Sequence, residues 1–125
     1  MGLMTARSIT NLSLSNNGIG DEGGIYLGQA LLLNETLHTL DLSCCRLGPG
    51  AALVMSQGVR RNATLRRLIC DSNPLGEPGG RHLLASLKFN HHLELLSLRG
   101  IQFRDTADSK VRTQTRIGSR LNGLA

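Results

Sequence analysis

Four histidines, three cysteines and a scatter of serines are the side chains of this sequence best suited to chemistry, and their spacing tests what chemistry they could do. A helical metal site presents two histidines at i and i+4 beside an acid. His38, His82, His91 and His92 have no such spacing. Cys44, Cys45 and Cys70 make neither a metal pattern nor an even disulfide set, and neighbouring cysteines cannot share a disulfide of relaxed geometry. Ser13, Ser15 and Ser43 have no base placed beside them by any visible rule. Gly18, Gly20, Gly23 and Gly24 suggest a phosphate loop, but glycine recurs at these places along the chain, so tight turning and close packing explain it. The expectation is a protein without enzymatic chemistry, cofactor or metal, whose function lies in its surface.

The elements that position that surface are set by a period of 28 residues. The run Ile9, Leu12, Leu14, Asn17, Ile19, Gly20 returns as Leu37, Leu40, Leu42, Cys45, Leu47, Gly48, and again as Leu65, Leu68, Cys70, Asn73, Leu75, Gly76. Leu93, Leu96, Leu98, Ile101 and Phe103 begin a further turn of the pattern. The second half of each unit keeps step through Gly24/Ala52/Gly80, Leu27/Met55/Leu83, Leu31/Val59/Leu87 and Asn34/Asn62/Asn90. In the first half, Leu40 and Leu42 alternate with Thr39, Asp41 and Ser43, the period of a strand with one buried face. In the second half, Ala52, Met55 and Val59 recur at helical spacing. Asp21, Pro49 and Pro78 stand where such helices begin, as caps or first-turn prolines. A helical crossover between successive strands requires those strands to lie parallel. Cys45 and Cys70 occupy repeat slots, which predicts buried, reduced thiols, with Cys44 left in the turn.

The strings LHTLDLSCCRLGPG and LSLSNNGIGDEGG resemble the leucine-rich repeat family, specifically its ribonuclease-inhibitor-like class of 28-residue units, over residues 9–103. The resemblance implies an α/β solenoid: a right-handed β-α superhelix, with parallel strands lining a concave face and helices on the convex face. In that family the Asn or Cys after the strand bonds backbone groups of the turn. Ile101 in that slot implies a fourth turn built differently, and Cys70 stands where leucine is usual.

The chain of 125 residues divides on this reading into a remnant of a preceding repeat helix (1–8), in which Leu3 keeps register with Leu31; repeats 9–36, 37–64, 65–92 and a partial 93–103; and a basic, flexible tail (104–125). Neither end shows a polar cap, and stacked repeats need one, so a fragment, a shortened isoform or self-association through open solenoid ends is expected. Of the net charge of +5, the tail holds +3, from Arg104, Lys110, Arg112, Arg116 and Arg120 against Asp105 and Asp108. A nucleic-acid arm would interleave aromatics with its cations; this tail does not, and a solvated tail is the simpler reading. No run approaches the length of a membrane span, residues 1–10 lack a signal peptide's apolar core, and Ala6 breaks the myristoylation pattern. Sequons at Asn11, Asn34 and Asn62 are read as structural by-products. A reducing, cytoplasmic setting follows, with the nucleus and cilium also compatible.

Strand alternation places Asn11, Ser13 and Ser15, then Thr39, Asp41 and Ser43, then Arg67, Ile69 and Asp71, then Leu95, Ser97 and Arg99 on the concave face. The last nine are the candidate protein-binding residues, with Ile69 beside Arg67 the first choice for a contact. Arg60, Arg61, Arg66 and Arg67 form a second cluster, either cations that complement a helix C-terminus or a rim contact for an acidic partner. Few aromatic anchors are available, 2% of residues, so hot spots are scarce. The expected function is that of an intracellular module binding a protein partner. A regulator of a nucleotide-switch protein, GTPase-activating or innate-immune-receptor-like, and a truncated product with little activity of its own are the alternatives.

Overall fold

The computed structural model describes residues 9–101 and the backbone of 114–116. Four short strands and three helices alternate along the chain: β1 (Asn11–Ser13), α1 (Gly20–Leu33), β2 (Thr39–Asp41), α2 (Pro49–Arg61), β3 (Arg67–Ile69), α3 (Gly76–Ser86) and β4 (Leu95–Ser97). A fifth strand, β5 (Gln114–Arg116), completes a sheet ordered β1-β2-β3-β4-β5. The first four strands pair in parallel at an offset of one repeat, Leu12 with Leu40, Leu40 with Leu68, and Leu68 with Leu96. β5 runs antiparallel to β4, with Leu95 opposite Arg116 and Ser97 opposite Gln114. The tail read from the sequence as flexible therefore contributes a strand at Gln114–Arg116. The rest of the tail, the remnant at 1–8 and the position of a fourth helix lie outside the described residues.

The two periodicities of the unit converge on one core. Leu40, Leu42, Leu68, Cys70, Leu96 and Leu98 point inward from the strands, and Leu31, Ala52, Met55, Val59, Leu83 and Leu87 meet them from the helices, all almost fully buried. Neighbouring helices touch closely where small residues allow it. A Cβ on Gly28 would come within 2.7 Å of Met55 N, and one on Gly58 would overlap the Gly28 carbonyl and stand 3.0 Å from Leu31 Cβ, so α1 and α2 pack backbone against backbone.

Two side-chain ladders run across the repeats. At the helix-to-strand turn, Asn62 donates to Leu31 O (2.9 Å) and Asn34 O (3.1 Å) and accepts from the Thr64 and Leu65 amides (2.9 and 2.7 Å). Asn90 repeats this with Val59 O, Asn62 O, and the His92 and Leu93 amides. These carboxamides satisfy the buried groups that helix ends leave unpaired. A glycan on Asn62 Nδ2 would disrupt the bonds that this nitrogen donates to Leu31 O and Asn34 O. At the strand-to-helix turn, Asn73 accepts from the Cys45 and Leu47 amides and donates to Leu42 O, while the Cys45 thiol donates to Leu14 O (3.0 Å). Ile101 cannot donate. The Cys70 carbonyl, which that slot would serve, takes the Asn73 amide at 3.1 Å, and Ile101 is buried as packing.

Helix starts differ in one respect from expectation. Pro49 is the first residue of α2, a position where its missing N–H costs nothing, and Pro78 lies in the first turn of α3. Asp21 does not cap its own helix. It accepts from the Gly48 and Ala51 amides (3.0 and 2.6 Å), closing the N-terminus of α2 in the next repeat. Carboxylate charge there also complements the helix dipole.

Candidate interaction surface

Because side chains alternate along each strand, three columns of residues cross the sheet on the side away from the helices. The first is Thr39, Arg67, Leu95, fixed by the pairing of Thr39 with Arg67 and Arg67 with Leu95. The second is Asp41, Ile69, Ser97, paired in the same way. The third, Ser43, Asp71, Arg99, lies just past the strand ends. All nine candidate residues therefore lie on one face, but they are not equivalent.

In the first column Arg67 is exposed and Thr39 and Leu95 are half-buried, and Arg67 makes no ion pair or hydrogen bond to another described side chain. Ile69 is half-buried beside it. These residues present a cation with aliphatic surface on both sides. The acids, by contrast, are occupied. Asp41 accepts from the Ser43 amide and hydroxyl (3.0 and 2.8 Å), an Asx-type turn just past β2. Asp71 accepts from the Ser97 hydroxyl (2.6 Å) and the Arg99 amide (2.9 Å), tying the turn after β3 to β4. Ser97 is 5% exposed. Its hydroxyl is donated to Asp71, so in this chain it ties the turn after β3 to β4. Asp71 belongs with it as much as with the surface.

The turns beyond the strands carry backbone strain at repeat intervals. Asn16, Cys44 and Ser72 have φ of 62°, 55° and 57°, and Gly100 has 92°. Only glycine adopts this region without cost. The exposed thiol of Cys44 sits at one of these corners, while Cys45 and Cys70 are buried and all three are free. Burial, with Asp71, Asp41 and Cys45 nearby, pushes the Cys70 thiol far above its ordinary range, so it is an inert core group. Among the described residues no cluster of three His, Cys, Asp or Glu side chains could hold a metal. No described helix is long and apolar enough to cross a membrane.

A second feature lies on the flank where helices end. Leu32, Gln57, Arg60, Arg61 and Phe89 line a groove of about 520 Å³, and the Arg60 guanidinium stands 4.0 Å from the centre of the Phe89 ring. Leu32 and Phe89 were not among the residues singled out from the sequence. The signal available was their departure from a polar exposed face at positions that align, one repeat apart, with Arg60 and Arg61.

Parallel strands in one-repeat register, helices on one side and asparagine ladders through both turns define a leucine-rich repeat solenoid. A model described as "Leucine Rich repeat" matches residues 5–28 and 33–56. The chain belongs to the leucine-rich repeat family and is ribonuclease-inhibitor-like. It is 37% identical over 86 residues to the ribonuclease inhibitor of Sus scrofa, covering 68% of this chain and 19% of that protein. It is 33% identical over 114 residues to NACHT, LRR and PYD domains-containing protein 3 of Bos taurus, covering 90% and 11%. Leucine-rich repeat-containing protein 45 of Gallus gallus is 35% identical over 99 residues, 78% of this chain and 15% of that protein. The chain thus spans about a fifth or less of these relatives' lengths. Among solved structures, leiomodin-1 actin-binding site 2 superposes with a TM-score of 0.73 at 21% identity, over 77% of this chain and 57% of that one, which supports the fold.

Proposed function

We propose that this chain is a protein-interaction module that binds a protein partner through the sheet face, with Arg67, Ile69 and Leu95 as the contacting residues and Thr39 beside them. The observation that carries the reading is the contrast between side chains on this face. The Arg67 side chain bonds no other described side chain, whereas Asp41, Asp71 and Ser97 are spent on the scaffold. A grid held by ladders loses little entropy when it is gripped. Family membership supports the same class: the ribonuclease inhibitor is, by its name, a protein that acts on another protein. The free state of all three cysteines fits a reducing compartment, the cytoplasm in our reading.

The test is comparative capture. The wild-type chain and an Arg67→Glu/Ile69→Asp variant of unchanged melting behaviour are used as baits, and the recovered protein is purified and titrated against both. A loss of about tenfold or more in affinity is expected, since an exposed cation and its half-buried apolar neighbour are both replaced by acids. Equal affinity for both baits removes the sheet face from recognition.

A further inference from the structure

We propose that the helix-end groove is a second recognition site, taking a segment of a protein partner in which carboxylates are interleaved with aromatic or branched aliphatic side chains. The surface is distinct from the sheet face, so the inference stands whether or not that face binds.

The groove lies where α1 and α2 finish and where the chain leaves α3. Its apolar part is unusually open for a fold that buries its leucines: Leu32 is 45% exposed and Phe89 56%. Leu33, on the same flank, is 63% exposed. Across the repeats Leu32, Arg60 and Lys88 occupy one position, and Leu33, Arg61 and Phe89 the next. An extended ligand crossing this flank would therefore meet apolar, cationic, then mixed apolar and cationic surface in turn. The five described residues lining the groove include two guanidinium groups and, among them, no carboxylate. Both arginines lie in the last turn of α2. A purely structural role, offsetting the partial negative charge of that helix end, does not account for the placement of Arg60, whose guanidinium is stacked on Phe89. Arg61 has no ion pair among the described residues.

Charge complementarity selects the occupant. A guanidinium held over a ring still offers N–H donors at its edge, and its planar fork is the geometry that a carboxylate takes bidentately. The ring and Leu32 give an apolar side chain of the ligand a place to shed water beside those donors. A ligand of acids alone leaves Phe89 and Leu32 wet, and one of apolar residues alone leaves the arginines unsatisfied. An acidic-aromatic peptide segment fits both.

The experiment titrates the full chain into a short fluorescein-labelled peptide in which aspartates alternate with phenylalanine and leucine, followed by fluorescence anisotropy. Controls replace the apolar residues by serine, or the aspartates by lysine. Saturable binding is expected that weakens with added salt, that falls about tenfold or more with Arg60→Glu/Arg61→Glu, and that falls with Phe89→Ser. Binding should persist in Arg67→Glu/Ile69→Asp, which separates this site from the sheet face. Arg60→Lys/Arg61→Lys keeps the charge and the fold but removes the planar fork, and should weaken binding severalfold, which keeps the test decisive if the charge reversal unfolds the chain. The proposal is overturned if no saturable binding occurs. It is equally overturned if the serine-substituted peptide binds as tightly, if the arginine variants bind like wild type, or if a single-stranded oligonucleotide or a phosphatidylserine vesicle displaces the peptide at lower concentration than unlabelled peptide does.

Discussion

Replacing Asp71 by alanine separates scaffold from contact on the sheet face. Its carboxylate oxygen accepts the Ser97 hydroxyl at 2.6 Å and the Arg99 amide at 2.9 Å, and hydrogen bonds to a charged group contribute about 1.5–3 kcal/mol each. Asp71 is only half-buried, so the lower end applies, but Ser97 is buried and its stranded hydroxyl adds to the loss. The expected cost is about 2–4 kcal/mol, a large share of a small domain's stability. With an m-value of about 1.5 kcal/mol/M, urea midpoints should fall by about 2 M. The damage should be local first: the Arg99 amide, and the Ser72 amide that donates to Arg99 O, should lose hydrogen-exchange protection before β2 does. Asp71→Asn keeps an acceptor and should cost about half as much. A change of under about 0.5 kcal/mol for Asp71→Ala, or unchanged protection at Arg99, would refute the assignment of Asp71 to the scaffold and return it to the contact surface.

Other perturbations follow from the same geometry. Asn62→Ala strands two amides and two carbonyls in a residue only 4% exposed and should cost about 3–5 kcal/mol; a loss below about 1 kcal/mol by urea titration would mean that water replaces the ladder. Gly58→Ala gains about 1 kcal/mol of helix propensity but collides with Gly28 and Leu31, at about 1–3 kcal/mol, so the melting temperature should fall, and a rise would show that α1 and α2 can separate freely. Cys44→Gly removes a left-handed non-glycine residue (φ 55°) and should raise stability by about 0.5–1 kcal/mol, checked by thermal melting. The native fold holds the Cys70 thiol protonated, chiefly through burial, while the unfolded chain ionises above its ordinary value of 9.0. The unfolded state therefore binds fewer protons in that range, and stability should fall above pH 9 by up to about 1.4 kcal/mol per unit; an undiminished slope in Cys70→Ala would contradict this.

Much of this architecture is legible in the sequence because it is local or periodic. Alternation at Leu40 and Leu42 and helical spacing at Met55 and Val59 fix both faces of the unit, and the offset of one repeat fixes strand register. What the sequence hides are bonds made across repeats. Asp21 looks like a local cap, yet its partners are 27 and 30 residues away, a relation that exists only once the units stack. Alternation correctly sends Ser97 to the sheet face but is blind to the carboxylate 26 residues earlier that claims it. β5 was hidden for a different reason: Gln114–Arg116 pairs through its backbone at a sheet edge, and backbone pairing leaves no apolar pattern to read. The groove escaped because Leu32 and Phe89 belong to different repeats and meet only across an intervening helix end.

The division of the surface follows from how a solenoid satisfies its backbone. Turn amides and carbonyls at the C-terminus of α1, at both ends of α2 and in the helix-to-strand turns are served by Asn34, Asn62, Asn73, Asn90 and Asp21, all at positions that the stacking geometry dictates. Exposed positions outside these ladders carry no such duty, so their side chains can change with little effect on the fold. Arg67 on the sheet face and Arg61 on the flank are both of this kind, each a cation bordered by aliphatic or aromatic surface. Exchanging either should therefore alter recognition at constant stability, whereas exchanging Asp71 or Asn62 should alter stability whatever is bound. A variant of Arg67 or Arg61 that lost several kcal/mol of folding free energy would break that separation.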